Sequence, residues 1–461
     1  MDANPTVFTN VFVDLDGIVY TATSGLHENG MKKHSTNGGN MFKDTVFSYD
    51  TLTDVYVDRS GFIYTCSNEG YIDIYSKEGE MIFEFGSFVT TTDVVGLFTR
   101  LPSIAVDSSG SIWAVDGAKG YLQSFKTTEY SRMVYNAMDL YEHGYYEQAM
   151  EQWNEVLKLN QMSVLAHDGV GKAYLHAEDY PHALEHFKVA NDKEYYSEAF
   201  WEVRNAWLQS YLGAIAAAIV ILFVLSKALK VVDNKTDGRL EDFSEQFWDR
   251  MNRTPIIHDF IFARKTNRHP MDCYYEVSKS REGSVPAASI MIVLLFIAFM
   301  LYQTQKGFVY QMQDVQDMDI GFIVFGFWAL LALFIFCNYL VTSIYDGNGS
   351  LKKIFLVVAY GSLPLTVSLL AVTLISYGLA YNEAFLLTII MIVGIVWSLV
   401  TVFIGLQTIH EYSFKETVMS IILTLMFMLI VAVVLIILSI MWNSLWSFIT
   451  SVGKELIQNV F

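Results

Sequence analysis

The stretch VFVDLDGIVYTA, residues 11–22, consists of alternating apolar residues, a turn and further alternation. It recurs as VYVDRSGFIYTC at 55–66 and as IAVDSSGSIWAV at 104–115. Each copy has an Asp and a Gly three residues apart: Asp14/Gly17, Asp58/Gly61 and Asp107/Gly110. Asp bonds nearby backbone and starts a tight turn, and Gly adopts the positive φ that closes it. The copies therefore predict three strand–turn–strand units at a spacing of 44 and 49 residues, which is typical of propeller blades.

These units resemble NHL-repeat blades, in which a strand ending in Val-Asp meets Gly-x-Ile-Tyr. The resemblance covers residues 1–128 and implies a partial β-propeller of about three blades, whereas closed propellers have about four to eight. An open set of three blades would leave sheet edges uncovered. We therefore expect that the chain begins within a longer natural protein, or that its blades complete those of a partner.

Residues 130–206 change to a helical period. The segments 141–157 and 175–190 align at an offset of 34 residues, the period of tetratricopeptide repeats, which they resemble. A small residue is followed by an aromatic residue four positions later in both segments, and a small-then-large pair recurs in the first helix of the second unit. We expect these residues to pack the helices together: Ala149, Trp153, Gly171, Tyr174, Ala183 and Phe187.

The second half of the chain is strongly apolar. Of the whole sequence 53% is hydrophobic and 17% charged, and apolar runs long enough to cross a bilayer predict a polytopic bundle of six transmembrane helices. The predicted spans are 208–231, 286–305, 320–344, 354–379, 386–407 and 418–441. Residues 442–461 place apolar and aromatic residues at helical spacing. They predict an amphipathic helix at the membrane interface, with a helix that docks on a partner as the alternative.

The charge is unevenly distributed. Of the net charge of −18, residues 1–206 carry −16, which argues against nucleic acid and against docking on an anionic membrane surface. Lys and Arg cluster at 227–281 and recur in alternate loops. By the positive-inside rule the segment 232–285 is cytoplasmic and the N-terminal repeats are extracellular, in a plasma-membrane protein. Export of the repeats would need a signal peptide, and we see none, which agrees with a missing N-terminal portion.

Three motifs in the apolar half resemble the membrane domain of the Yip (Ypt-interacting protein) family in its bacterial form. They are HPMDCYYEVSKSREGS at 269–284, YDGNGSLKKIFLVVAYGSLPL at 345–365 and IHEYSFKET at 409–417. The resemblance covers about 250–441 and implies a domain of five spans over 286–441, so the span at 208–231 is an addition. The motif residues are His269, Pro270, Tyr274, Gly349, Lys353, Tyr360, Pro364, His410 and Tyr412.

The positions of two prolines also have a direct structural interpretation. Pro270 fits the first turn of a short helix that carries Tyr274, Tyr275 and Val277. This helix would lie at the cytoplasmic surface with its aromatic groups at headgroup level. Pro364 lies within a span and should kink it, which frees a carbonyl near Tyr360. The kink is either structural or a hinge.

The sequence contains few groups of residues that could catalyse a reaction or bind a metal. His258, His269 and Cys273 could be combined into a metal site without an obvious fourth ligand. Asp314, Asp317 and Asp319 are interpreted as a solvated acidic loop, with a cation site at the outer surface as the alternative. Cys66, Cys273 and Cys337 imply no disulfide framework. We see no nucleophile elbow, phosphate loop or zinc helix. We therefore predict no catalytic residue, cofactor or metal.

The leading hypothesis is a non-enzymatic membrane scaffold. Its extracellular repeats would bind a protein or carbohydrate, and its membrane domain would contact lipids and other membrane proteins, for example permeases of a carbohydrate ABC transporter. One alternative is a membrane-tethered, lactonase-like or sugar-binding propeller. The other is a channel or carrier, which the scarcity of ionisable residues within the spans disfavours.

Overall fold

The computed structural model describes residues 7–24, 30–42, 51–235, 255–279, 283–311, 313, 315–344 and 347–460. The chain divides into two compact units, Met1–Ala199 and Phe200–Phe461, hereafter the head unit and the membrane unit. Residues 236–254 and 280–282 of the predicted cytoplasmic segment lie outside the described residues, as does Asp314.

The strands of the head unit form three sheets, with no closed barrel among the described strands. The first sheet has the order β1-β2-β3, the second β4-β5-β6-β7-β8 and the third β11-β10-β9. All pairings are antiparallel except β7 with β8. The strands are β1 Val7–Val13, β2 Val19–Ser24, β3 Met31–His34, β4 Leu52–Val57, β5 Ile63–Ser67, β6 Tyr71–Tyr75, β7 Met81–Phe88, β8 Leu97–Phe98, β9 Ser103–Val106, β10 Ile112–Asp116 and β11 Tyr121–Phe125.

The three repeated turns have the predicted geometry. In the turn between β4 and β5, Oδ1 of Asp58 accepts hydrogen bonds from the backbone N–H groups of Ser60 and Phe62 at 2.9 and 3.0 Å. The Gly61 N–H donates to the Asp58 carbonyl, and Gly61 has φ +87°. The other two turns repeat this pattern around Asp14 and Asp107.

Equivalent positions of the repeats also connect neighbouring sheets. Asn10 of the first sheet donates to the carboxylate of Asp54 in the second, and the same carboxylate accepts from the Ser103 hydroxyl of the third at 2.5 Å. These three residues are 44 and 49 positions apart, as the Asp-Gly turns are. The sheets are thus joined by a repeating polar contact. The assignment to a propeller stays a prediction.

Four helices follow the sheets: α1 Glu129–Glu142, α2 Tyr146–Leu159, α3 Val164–His176 and α4 Tyr180–Ala190. One apolar core contains strand residues such as Ile72 and Ile104 together with helix residues such as Val134 and Val170. The sequence suggested separate modules on either side of residue 129. The structure places both in one unit, because the sheet and the helices bury their apolar faces against each other.

The membrane unit is helical. The helices are α5 Lys193–Lys235, which begins in the head unit, α6 Pro255–Thr266, α7 Pro270–Ser278, α8 Val285–Thr304, α9 Ile320–Ile344, α10 Leu351–Gly361, α11 Leu363–Ile375, α12 Ala384–His410 and α13 Phe414–Val460. Among the described residues, six stretches are long and apolar enough to cross a bilayer: Lys193–Ala228, Val285–Thr304, Ile320–Ile344, Leu351–Gly378, Tyr381–His410 and Phe414–Thr450. The prediction of six apolar spans is confirmed.

Two spans differ from the helices that the sequence predicts: one is broken and the other is longer. The predicted kink at Pro364 is a break at Ser362 between α10 and α11. Pro364 has no N–H to donate to the Tyr360 carbonyl, and the Asn267 side chain donates to that carbonyl at 3.0 Å instead. At the other end of the unit, α13 is one continuous helix through the predicted boundary at 442.

Candidate functional site

The head unit contains a cavity of about 380 Å³ where the β6–β7 turn faces the helices. Its walls come from the turn, from α1, α2 and α3, and from the first residues of α5. The lining residues are Ser76, Lys77, Glu78, Glu80, Met138, Tyr141, Glu142, Tyr146, Trp153, Leu165, Asp168, Gly169, Lys172 and Tyr195. We call this cavity the head pocket. Its size is within the range of small-molecule sites.

A buried ion pair lies in the head pocket. Asp168 and Lys172 are one turn apart on α3, and their carboxylate and ammonium groups are 2.7 Å apart. The Lys172 ammonium also contacts the Glu80 carboxylate at 3.2 Å and lies 4.7 Å from the centre of the Tyr195 ring. Two acidic groups and one aromatic face therefore surround a single cation.

Burial changes the titration of this pair. Desolvation raises the pKa of Asp168 to about 6, although the Lys172 ammonium opposes that change. Burial by itself would lower the pKa of Lys172. The carboxylates of Asp168 and Glu80 raise this pKa by more than burial lowers it, so Lys172 stays protonated. Asp168 is thus the group of this pair that changes charge near neutral pH.

Two polar atoms in the head pocket have no hydrogen-bond partner among the described residues. One is the indole N–H of Trp153, and the other is Oδ1 of Asp168. A buried donor and a buried acceptor without partners are costly in the empty protein. Both atoms are closed to solvent by their neighbours, so a ligand in the pocket would reach them only when the lining shifts.

The residues predicted to pack the helices are brought together. Trp153 packs on Gly169 and Phe187 packs on Gly171, where a Cβ atom would lie 2.7 Å from the Phe187 ring. Ala149 and Ala183 are fully buried, and Tyr174 is partly buried against the same helices. These contacts join α2 to α3 and α3 to α4. The assignment to tetratricopeptide repeats stays a prediction.

In the membrane unit, the motif residues Gly349, His410 and Tyr412 meet at the end of α12. The Gly349 N–H donates to Nδ1 of His410 at 3.1 Å, and the Tyr412 ring stacks on the imidazole with centres 5.2 Å apart. A Cβ atom at Gly349 would overlap the ring, so only glycine allows this approach. Because Nδ1 accepts a hydrogen bond, the neutral ring carries its proton on Nε2, which has no partner among the described residues.

Tyr274 and Tyr360 belong to one buried cluster, and Pro364 follows Tyr360 just after the break in the span. The Tyr274 hydroxyl donates to the Val357 carbonyl at 3.2 Å, and the Tyr360 hydroxyl accepts from the Ser284 N–H at 3.3 Å. Both rings are fully buried. We expected Tyr274 at headgroup level. Instead its ring packs close to Gly361 and Gly405, and its neighbour Tyr275 is the exposed aromatic of α7.

The remaining motif residues act locally. His269 is the N-cap residue of α7, and Pro270 occupies the first turn, as predicted. Lys353 donates its backbone N–H to the Ser350 hydroxyl at the start of α10. The combination of His258, His269 and Cys273 gains no support: across the described ranges no three His, Cys, Asp or Glu side chains gather into a metal-binding group. Asp319 instead caps α9 through the Phe322 N–H.

Sequence reasoning missed several of these contacts. Asp168 and Lys172 carry a readable signal, since opposite charges four residues apart pair on a helix. Glu80 lies 92 residues from Lys172, and no local pattern connects them. In the membrane unit, Arg204 of α5 forms a two-pronged ion pair with Glu383 and donates to the Gly378 carbonyl at 2.9 Å. That pairing across 179 residues was likewise invisible.

Comparisons with known proteins bear on the membrane unit. Among protein families, the Yip1 domain matches residues 265–438. This range contains the motif residues described above, four of the six apolar helical stretches and the first part of a fifth, Phe414–Thr450. A search of curated proteins finds no match to the chain. The chain is therefore a multi-pass membrane protein whose membrane unit is similar to Yip1 domains, and the match leaves the head unit and the first span outside it.

Proposed function

We propose that this chain is a non-enzymatic membrane scaffold that holds a carbohydrate ligand in its head pocket. The observation that carries the proposal is the buried Asp168–Lys172 pair beside an unpartnered indole N–H and carboxylate oxygen. Hydroxyl groups of a sugar both donate and accept hydrogen bonds, so a sugar that displaces the groups covering these two atoms would satisfy both. The rings of Tyr141 and Tyr146 line the same cavity and offer apolar surface for the sugar ring.

The wider role follows from joining this pocket to a membrane unit that is similar to Yip1 domains. We place the head unit outside the plasma membrane, on the basis of the Lys and Arg asymmetry between loops. The membrane unit would then associate laterally with other membrane proteins. A carbohydrate ABC transporter is the concrete version: the scaffold would present its ligand to the permease subunits.

Binding is tested with the purified full chain in mild detergent, titrated calorimetrically with a panel of mono- and oligosaccharides. We expect at least one sugar to bind, and Asp168→Asn and Trp153→Phe to weaken that binding at least about tenfold, since each removes a buried hydrogen-bonding group. Asp139→Asn and Trp113→Phe are matched controls at exposed positions outside the pocket and should leave binding unchanged. Binding of a peptide but no sugar at the pocket would overturn the carbohydrate assignment.

The same titration has an expected pH dependence. The pKa of Asp168 is raised to about 6, so its carboxylate is present above that pH and protonated below it. Sugar affinity should therefore fall as the pH drops through about 6, and Asp168→Asn should remove this dependence. The contribution of Asp168 to the free energy of unfolding depends on pH in the opposite direction, because the folded state binds the Asp168 proton more tightly than the unfolded state. It rises as the pH falls from about 6 towards 4.

Lateral association is tested separately. Chemical crosslinking in intact membranes, followed by purification in mild detergent, should recover transporter permease subunits with the full chain. Recovery of the chain alone under several gentle conditions would contradict the transporter version while leaving the sugar titration unaffected.

A further inference from the structure

The membrane unit has a second cavity, a groove of about 370 Å³ on the side of α11 and α12. Its long walls are apolar and belong to two spans, with Val367, Ile389 and Val393 about half exposed along it. One end is closed by the last residues of α6 and the turn that follows. The lining residues are Arg264, Asn267, Arg268, Leu363, Pro364, Val367, Ser368, Ile389, Ile390, Val393 and Trp397. We call it the lipid groove.

The basic end of the lipid groove is held in place by a network at Asn267. The Asn267 amide donates to the carbonyls of Ala263 at 2.8 Å and Tyr360 at 3.0 Å, where Pro364 has broken the span. The Trp397 indole N–H donates to the Asn267 backbone carbonyl at 3.2 Å. Three segments of chain are thereby joined, so the positions of Arg264 and Arg268 follow from the break at Pro364.

Arg264 and Arg268 give this end a charge of +2. Both side chains are exposed, and within the described part of the chain neither guanidinium has a carboxylate partner. The lining of the groove includes no Asp or Glu. Guanidinium groups match phosphate oxygens in geometry as well as in charge. An anion placed at this end would neutralise two cations at the border of an apolar surface.

We propose that the lipid groove binds one anionic glycerophospholipid, with its phosphodiester between Arg264 and Arg268 and an acyl chain along Val367 and Val393. The apolar walls select a lipid over free phosphate, because they contribute only when hydrocarbon covers them. The double positive charge selects an anionic headgroup over a zwitterionic one, whose own cation the two arginines would repel. This assignment does not rest on the proposed ligand of the head unit.

The test is native mass spectrometry of the full chain released from detergent after incubation with equal amounts of phosphatidylglycerol and phosphatidylcholine. We expect the chain to retain phosphatidylglycerol with at least about tenfold preference, because each basic side chain near an anionic lipid contributes a several-fold factor. Arg264→Gln with Arg268→Gln should abolish the preference. Val393→Trp, a change at an exposed position, should fill the groove and reduce retention of both lipids.

The matched control is Lys352→Gln with Lys415→Gln, which removes the same charge from two exposed lysines of the membrane unit that do not line the groove. It should keep the preference of the unmodified chain. Equal retention of both lipids by the unmodified chain, or an unchanged preference in the double arginine variant, would overturn the proposal. Displacement of the lipid by glycerol 3-phosphate would show a site for free phosphate esters instead. If the arginine variant fails to fold, an unaltered lipid count in Val393→Trp contradicts the proposal independently.

Discussion

The head unit and the membrane unit bury different kinds of polar group. The head unit buries ionised or ionisable side chains, among them Asp54, Asp73, Asp116 and Lys172. The spans of the membrane unit bury mainly Ser and Thr hydroxyls, together with Asn338 and His410, and expose Leu, Ile, Val and Phe over long stretches. The contrast fits a head unit surrounded by water and spans surrounded by lipid hydrocarbon.

The hydroxyls of the spans are satisfied within their own helices. Thr342, Thr373 and Thr424 each donate to the carbonyl four residues earlier, at 2.7–2.8 Å. Such side chains are small and need no partner from another helix, so spans can pack closely around them. Asn338 shows the intermediate case: its amide donates to the Thr424 hydroxyl across two spans at 3.1 Å. A buried carboxylate in the head unit needs donors from several segments, as Asp54 has.

The largest expected effect concerns the buried charges of the head unit. Lys172→Met leaves Asp168 without its cation and should lower the free energy of unfolding by about 3–5 kcal/mol. Hydrogen exchange of peptides from α3 in the full chain measures this loss. Lys158→Met removes a lysine from an exposed pair and should cost less than about 1 kcal/mol. Similar values for the two variants would mean that the Asp168–Lys172 pair is not desolvated.

A matched pair of substitutions tests whether an exposed surface faces lipid or water. Leu429 in α13 is 67% exposed and Leu159 in α2 is 64% exposed. Leu429→Lys places a charge in hydrocarbon and should destabilise the membrane unit by about 2.5–3.5 kcal/mol. Leu159→Lys faces water and should change stability by less than about 0.5 kcal/mol. Equilibrium unfolding of the full chain in bicelles compares the two, and equal effects would refute a lipid-facing α13.

The smallest expected effect concerns close packing. Gly349→Ala forces a Cβ atom against the His410 ring and should cost about 1–3 kcal/mol. Gly326→Ala, at a span position with no neighbouring atom within 4 Å of the added carbon, is the control and should be near neutral. Thermal unfolding in detergent reports both values. Recovery of stability when His410→Ala is added to Gly349→Ala would identify the imidazole as the obstacle.

Local features were predictable because neighbouring residues produce them. The Asp-Gly turns, the position of Pro270 in the first turn of its helix and the carbonyl freed by Pro364 all depend on residues within about four positions. The six apolar spans follow in the same way from composition over about 20 residues. Tyr274 shows the limit: aromatic residues on a short surface helix suggested headgroup contact, and packing against Gly361 and Gly405 buried the ring instead.

The sequence by itself determined which parts of this protein enter a membrane and where its turns and breaks lie, because hydrophobicity and backbone preference act over short distances. Only the tertiary structure decided which distant charges meet: Glu80 with Lys172 across 92 residues and Arg204 with Glu383 across 179. It also decided that Arg264 and Arg268 border an apolar groove. Long-range pairings depend on how several elements pack at once, and no local pattern encodes that geometry.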